Sequence, residues 1–254
     1  LLPVTQACFS AGSLFGALGA ALFIKLIPDP RITFFIVGSM FLFFSIIYYF
    51  FGLRKIYEED EKVEKFKIPE KNILIYGFLL MMNFATLGII IDWSPVWLTK
   101  DLSAPLFLGG LAIMFFNAGE IIARVSASKL INKFGEIIIG SYFSIVSCVI
   151  LFITILTMNL NIILFGILIF GFGTANFVAI VLRQAISESN EGISLTVSNL
   201  ITLGFGGFIF GPVVVGYLAE FISLTFNMYL LSVIWGFNGL ALFYLIKRNK
   251  NQKT

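Results

Sequence analysis

Along this chain, long apolar stretches alternate with short polar interruptions, and one hydrophilic segment stands apart. That segment runs from Arg54 to Asn72, where twelve of nineteen residues are Lys, Arg, Asp or Glu. Two apolar stretches, 3–27 and 32–53, precede it. Six follow, at 73–98, 106–128, 137–158, 162–186, 193–221 and 225–246. A helix rising about 1.5 Å per residue needs about 20 such residues to cross roughly 30 Å of hydrocarbon. The pattern therefore predicts an all-α integral membrane protein with eight transmembrane helices. Membrane-barrel strands would instead alternate apolar and polar positions in segments of about 10 residues. Pro28-Asp29-Pro30-Arg31 predicts a tight turn between the first two spans. The chain thus divides into a two-span module at 1–53, a charged cytoplasmic hinge at 54–72, a six-span module at 73–246 and a tail at 247–254.

Composition agrees and narrows the class. Charged residues make up 12% of the chain and hydrophobic ones 59%, with a mean hydropathy of +0.98. A soluble domain carries about 25% charged residues to cover its surface, so this chain belongs in a bilayer. Its thirty Phe suit lipid-facing helix surfaces. A net charge of +3 is too small to suggest nucleic acid as a partner. The distribution of charge is more informative: all seventeen Lys and Arg except Lys25, Arg31 and Lys100 fall on one side of the eight-span topology. By the positive-inside bias, the hinge and the C-terminus are cytoplasmic.

Several chemistries are excluded. The sequence has no His, which removes His proton relays, His metal ligands and Ser-His catalysis. Cys8 and Cys148 lie in separate apolar spans and form no CxxC metal or redox site. No GxxxxGK[ST] is present, so nothing indicates an ATP-driven pump. Gly171-Phe172-Gly173 and Gly204-x-Gly206 lie inside apolar spans and predict packing rather than dinucleotide binding. HExxH and GxSxG are also absent. The expectation is a protein that is not an enzyme and needs no cofactor or metal. The chain begins at Leu1, already inside a span, and reads as part of a larger protein.

The candidate chemistry is a short set of polar residues inside the spans. Glu120 lies within the fourth span, where a carboxylate must face a cavity or a partner. Arg124 is one helical turn further on the same face. Two readings stay open: a Glu–Arg pair with Arg124 snorkelling to the interface, or a substrate- or proton-binding acid. Asp92, beside Trp93 and Trp97, reads either as an interfacial anchor or as a protonatable acid at the outer mouth. Glu220, at the outer end of the seventh span, reads as solvated. Gln6, Asn83, Asn117, Asn176, Gln184 and Asn199 could be glue between helices or the lining of a polar cavity. Arg183 is expected to snorkel.

An internal repeat adds organisation. Ala11-Gly12-Ser13-Leu14-Phe15-Gly16 and Gly206-Gly207-Phe208-Ile209-Phe210-Gly211 share the form small-Gly-x-aliphatic-Phe-Gly, six spans apart. Gly12/Gly16 and Gly207/Gly211 are spaced for close helix packing. The separation matches a twelve-span protein of two parallel six-span halves, with its first four spans outside this sequence.

Three motifs carry a family resemblance. Ala123-Arg124, Ser128-Lys129-Leu130 and Lys133-Phe134-Gly135 resemble the cytoplasmic signature Gly-Arg-x3-Asp-Arg-Leu-x3-Phe-Gly of the major facilitator superfamily (MFS). Ala123 stands for the Gly and Ser128 for the Asp, so the carboxylate of that family's charge-relay contact is missing here. Gly207-x3-Gly211-Pro212 with Gly216-Tyr217-Leu218-Ala219-Glu220 is similar to the eleventh span of bacterial members. Asp92-Trp93-Ser94 is similar to a feature of a bacterial branch distantly allied to fucose-type sugar permeases.

The resemblance implies a secondary transporter of the bacterial inner membrane, with two rocking halves and a central site. It would act as a monomer on a small sugar-like or drug-like solute, with a proton as the coupling ion these acids could serve. Residues 1–53 would then be the last two spans of the N-terminal half and 73–246 the C-terminal half. The first and fourth spans of each half line the family's cavity, which ranks Asn83 and Asn176 above the other amides. Arg124, Ser128, Lys129, Lys133 and Gly135 would form the gating motif, and Gly12, Gly16, Gly207, Gly211 and Pro212 the packing motif. A membrane sensor or scaffold that retains the fold is the alternative.

Overall fold

A computed structural model describes residues 2–27, 29–52 and 69–253, with side-chain detail from residue 8 onward except at 24, 106, 252 and 253. Residues 54–68 of the hinge and the Gln6 side chain lie outside the described residues. Among the described residues every regular element is helical. The elements are α1 (Leu2–Leu26), α2 (Pro30–Ile47, prolonged by a π-helical turn Tyr48–Gly52), α3 (Lys71–Lys100), α4 (Leu111–Val125) and α5 (Ala127–Glu136). A second π-helical turn, Ile137–Tyr142, leads into α6 (Phe143–Leu156). Then come α7 (Leu160–Thr174), α8 (Phe177–Glu188), α9 (Ile193–Ala219) and α10 (Leu224–Lys253).

The apolar pattern sets these elements, and local chemistry sets their ends. Pro30 opens α2 at a position where its missing N–H costs nothing, and Asp29 caps it by accepting from Arg31 N at 2.9 Å. Asn159 caps α7, accepting from Asn161 N and Ile162 N. Six helical segments are long and apolar enough to cross a membrane, counting α5–α6 and α7–α8 each as one. The other two predicted spans are α1, whose described apolar part is Cys8–Phe23, and α4, only 15 residues long. The chain is a multi-pass membrane protein.

Three local features depart from the sequence reading. Residues 129–136 do not loop between spans but continue as α5, and the chain bends at Gly135, with φ 80° and ψ 165°. Only glycine adopts that backbone without strain, and no described atom lies within 4 Å of the place a Cβ would occupy. Gly135→Ala should therefore destabilise through conformation alone, by about 1–3 kcal/mol, seen as a lower melting temperature of the purified protein. The sixth span is broken at Ala175–Asn176 between α7 and α8. Residues 247–253 prolong α10 rather than leaving it as a tail.

Packing is tightest where small residues let backbones meet, which is how membrane helices associate without a hydrophobic driving force between them. A Cβ on Gly119 of α4 would lie 2.0 Å from Leu168 O, and one on Gly171 of α7 would lie 2.1 Å from Phe116 O. The same holds between α3 and α9. Aromatic rings fill the centre: Trp235 is fully buried, with ring centroids 4.8 Å from Phe177 and 6.1 Å from Phe170.

One end of the bundle is tied by a polar network. Glu136 accepts from Arg183 at 2.7 Å and from Gln184 at 2.6 Å, so the largely exposed Arg183 side chain pairs with a carboxylate. Asn249 donates to Tyr76 Oη and to Gln184, while Tyr76 and Arg248 both donate to Glu188. α1 packs chiefly on α4, and α2 has no buried residue.

Candidate functional site

The site begins on one face of α4. Asn117, Glu120 and Arg124 fall at i, i+3 and i+7, a spacing that stacks side chains along a single stripe. Arg124 Nη2 donates to Glu120 Oε1 at 2.7 Å, and the two side chains are 8% and 5% exposed. A buried ion pair survives only when its remaining hydrogen-bonding capacity is also met. Three further contacts meet it here. Ser10 Oγ of α1 donates to Glu120 Oε2 at 2.7 Å, Arg124 Nη1 donates to the same Ser10 hydroxyl, and Arg124 Nε donates to Ala175 O at 3.3 Å.

The last contact explains how the broken sixth span is tolerated. The end of α7 leaves carbonyls without a following helical N–H, and in hydrocarbon each must find a partner. Arg124 takes Ala175 O and Thr174 Oγ1 takes Gly171 O. Asn176, the residue just before α8, donates to Ala123 O at 3.3 Å and so also ties the break to α4. Asn117 closes the seam with α1 by donating to Ser13 Oγ at 3.0 Å.

Beside the ion pair lies a cavity of about 470 Å³. Asn83, Thr86, Glu120, Arg124 and Thr174 supply its polar lining. Its apolar wall includes Phe9, Phe84, Phe116, Phe205 and Phe208. Asn83 is 8% exposed, and among the described residues nothing hydrogen-bonds its carboxamide.

Of the residues singled out by sequence, the structure brings Asn83 and Glu120 to one cavity, with Arg124 between Glu120 and the break. Asn117 and Asn176 are buried as ties between helices and do not line it. Asp92 is exposed on α3, which continues through Pro95 to Lys100, and it lies away from the cavity. Its neighbour Trp93 donates to Pro212 O at 2.9 Å. Ser128, Lys129 and Lys133 are exposed on α5, with Lys133 Nζ 5.2 Å from the centre of the Phe134 ring. Arg124 turns inward from that motif. Gly207 and Gly211 lie against Met81 and Ala85 of α3, and Pro212 lies against Gly88, whereas no described atom is within 4 Å of a Cβ built on Gly12 or Gly16.

Sequence reasoning missed Ser10, Ser13 and Thr174. A signal existed for the first two: Gln6, Ser10 and Ser13 share one face of an otherwise apolar helix.

Comparison with known proteins fits this architecture. A protein of Yersinia pestis described as an uncharacterised MFS-type transporter is 24% identical over 219 residues, covering 85% of this chain and 56% of its own length. The membrane protein MosC of Rhizobium meliloti is 26% identical over 156 residues, covering 60% of this chain and 37% of its own. The proton-coupled antiporter flippase LtaA of Staphylococcus saprophyticus is 25% identical over 264 residues, covering 96% of this chain and 63% of its own. The chain thus spans less than two thirds of the length of each of these relatives. The sequence profile of the Major Facilitator Superfamily matches residues 4–203, and the chain belongs to that superfamily.

Proposed function

We propose that this chain supplies the C-terminal part of a secondary active transporter that moves a small solute across the bacterial inner membrane by alternating access. The observation that carries this reading is the cavity beside the ion pair: Asn83 and Glu120, from different helices, converge on one open space. A scaffold that had abandoned transport could fill that space with Phe and Leu; about 470 Å³ of it is open. Residues 1–53 are the end of one half, 54–72 the cytoplasmic hinge and 73–246 the other half, with 247–254 also cytoplasmic. The full-length protein acts as a monomer in the bilayer, is not an enzyme and uses no cofactor.

Glu120 is the proton carrier in this scheme, and Asp92 is a second protonatable acid at the outer mouth. A carboxylate that exchanges a proton during the cycle must be released from its partners, and here they are Arg124 and Ser10. Opening the seam between α1 and α4 releases Ser10, which links proton exchange to movement of the halves. One relative's name, a proton-coupled antiporter flippase, supports proton coupling. Arg124 serves as the partner that Glu120 leaves and regains. Ser128, Lys129 and Lys133, with the bend at Gly135, form the cytoplasmic gating segment. Gly207, Gly211 and Pro212 hold α9 against α3, while Gly12 and Gly16 offer a small-residue face on α1.

The test is solute-driven proton movement in proteoliposomes containing the full-length protein and a pH-sensitive dye in the lumen. Wild type should acidify or alkalinise the lumen when an active solute is added, and Glu120→Gln should abolish that signal. An unchanged signal in Glu120→Gln would remove Glu120 from coupling, and a solute screen with no flux at all would favour the sensor or scaffold reading.

A further inference from the structure

We infer that the solute held in this cavity is neutral and mostly aromatic, with one hydrogen-bonding head that Asn83 reads. This rests on the cavity being the transport site and specifies what that site accepts. The argument is an inventory of the polar groups that line it. Glu120 spends one oxygen on Arg124 and the other on Ser10. All three guanidinium nitrogens of Arg124 are engaged, by Glu120, Ser10 and Ala175 O. The pair is therefore balanced in charge, and a charged solute would have to displace one ion and leave the other uncompensated.

The hydroxyls offer no donors either. Thr86 Oγ1 gives its proton to Met82 O at 2.9 Å, and Thr174 Oγ1 gives its own to Gly171 O at 3.1 Å. Among the described residues that line the cavity, one polar side chain is left without a partner. Asn83 is 8% exposed, and its carboxamide is engaged by no described residue. It can donate and accept at once, which matches a phenolic or alcoholic hydroxyl or an amide.

The rest of the wall is aromatic. Phe84 and Phe205 form an edge-to-face pair with centroids 5.4 Å apart, and Phe9, Phe116 and Phe208 complete the lining. Such rings favour a flat ring stacked or edge-on. A sugar would bring several hydroxyls to a described lining in which Asn83 is the one polar side chain without a partner and the rest is largely aromatic, and each hydroxyl left unpaired costs roughly 1–3 kcal/mol. The volume of about 470 Å³ suits a molecule of two or three fused rings and falls in the range of roughly 300–1,000 Å³ common to small-molecule sites.

The experiment is equilibrium dialysis of radiolabelled 2-naphthol against the full-length protein in nanodiscs, with empty nanodiscs subtracted. 2-Naphthoate, its anionic analogue, and methyl glucoside are measured alongside. 2-Naphthol should bind, and Asn83→Ala should weaken it about tenfold, as expected for one lost hydrogen bond. Asn83→Gln should restore part of the loss, and Phe84→Ala should weaken binding without touching the amide. Because Asn83 holds no structural hydrogen bond, its variants should melt like wild type. Naphthol binding that ignores Asn83→Ala would overturn the inference. So would binding no greater than to empty nanodiscs, or Asn83-dependent binding of the anion or the glycoside.

The two readings fail separately. Flux of a charged or sugar solute that requires Asn83 would refute the solute class and leave the transporter intact. Asn83-dependent naphthol binding without flux of any solute would refute transport and leave the ligand class standing.

Discussion

Replacing Arg124 by Met should destabilise the protein by about 3–5 kcal/mol, because it strands the Glu120 carboxylate in a buried site. Met keeps the unbranched stem and removes the charge, so the loss reports the ion pair rather than a cavity. Glu120 is 4% exposed, and its one other polar partner among the described residues, Ser10, also loses the guanidinium that orients it. Ala175 O, at the break in the sixth span, loses its donor as well. The double variant Glu120→Gln/Arg124→Met should recover most of the loss, since it removes the uncompensated charge and leaves an amide that can still receive the Ser10 hydroxyl proton.

A second ion pair in the same molecule gives the comparison. Arg183 lies 2.7 Å from Glu136, but its side chain is 68% exposed. Solvent screens that pair, so Arg183→Ala should cost less than about 1 kcal/mol. The measurement is the melting temperature in detergent, followed by the fluorescence of a thiol probe. Equal losses in Arg124→Met and Arg183→Ala would mean that water reaches the α4 pair and that the seam with α1 is open.

The sequence carried the span pattern well because a bilayer imposes one strong rule on composition and length. It also carried the Glu120–Arg124 contact, which is local and follows from a four-residue spacing on one helix. Contacts between distant helices were less legible. Ser10 meets Glu120 across 110 residues, and a serine in an apolar helix most often bonds its own backbone, as Ser39, Ser94 and Ser144 do here. The break at Ala175–Asn176 was hidden because no proline marks it; Ala175 O there is taken by Arg124 of α4, a donor that only the fold brings near. Likewise 129–136 looked like a loop because it is polar, yet α5 is helical and ends at the left-handed glycine of the motif. Asn83 and Asn176 looked alike in sequence, but Asn83 faces open space while Asn176 is spent on Ala123 O.

The glycine pair at the head of the second repeat copy should separate sequence likeness from packing. Gly206→Ala and Gly207→Ala make the same chemical change one residue apart in α9, and their effects should have opposite signs. A Cβ on Gly207 would stand 1.8 Å from Met81 O and 2.6 Å from Met81 C of α3. Those are backbone atoms, so no rotamer change relieves the overlap and α3 and α9 must separate. Overpacking a well-fitted contact costs about 1–3 kcal/mol, and here the strain is shared with Gly211, whose Cβ would fall 2.8 Å from Ala85 Cα. Gly207→Ala should thus fall at the upper end of that range or prevent folding, read as loss of monodisperse protein after extraction. Gly206 has no described neighbour within 4 Å of its Cβ position, so Gly206→Ala adds a better helix former to open space. It should stabilise α9 by up to about 1 kcal/mol. If the two variants melt together, α3 and α9 are not held at backbone contact, and the cavity wall built on Asn83, Phe84 and Phe205 loses its geometry.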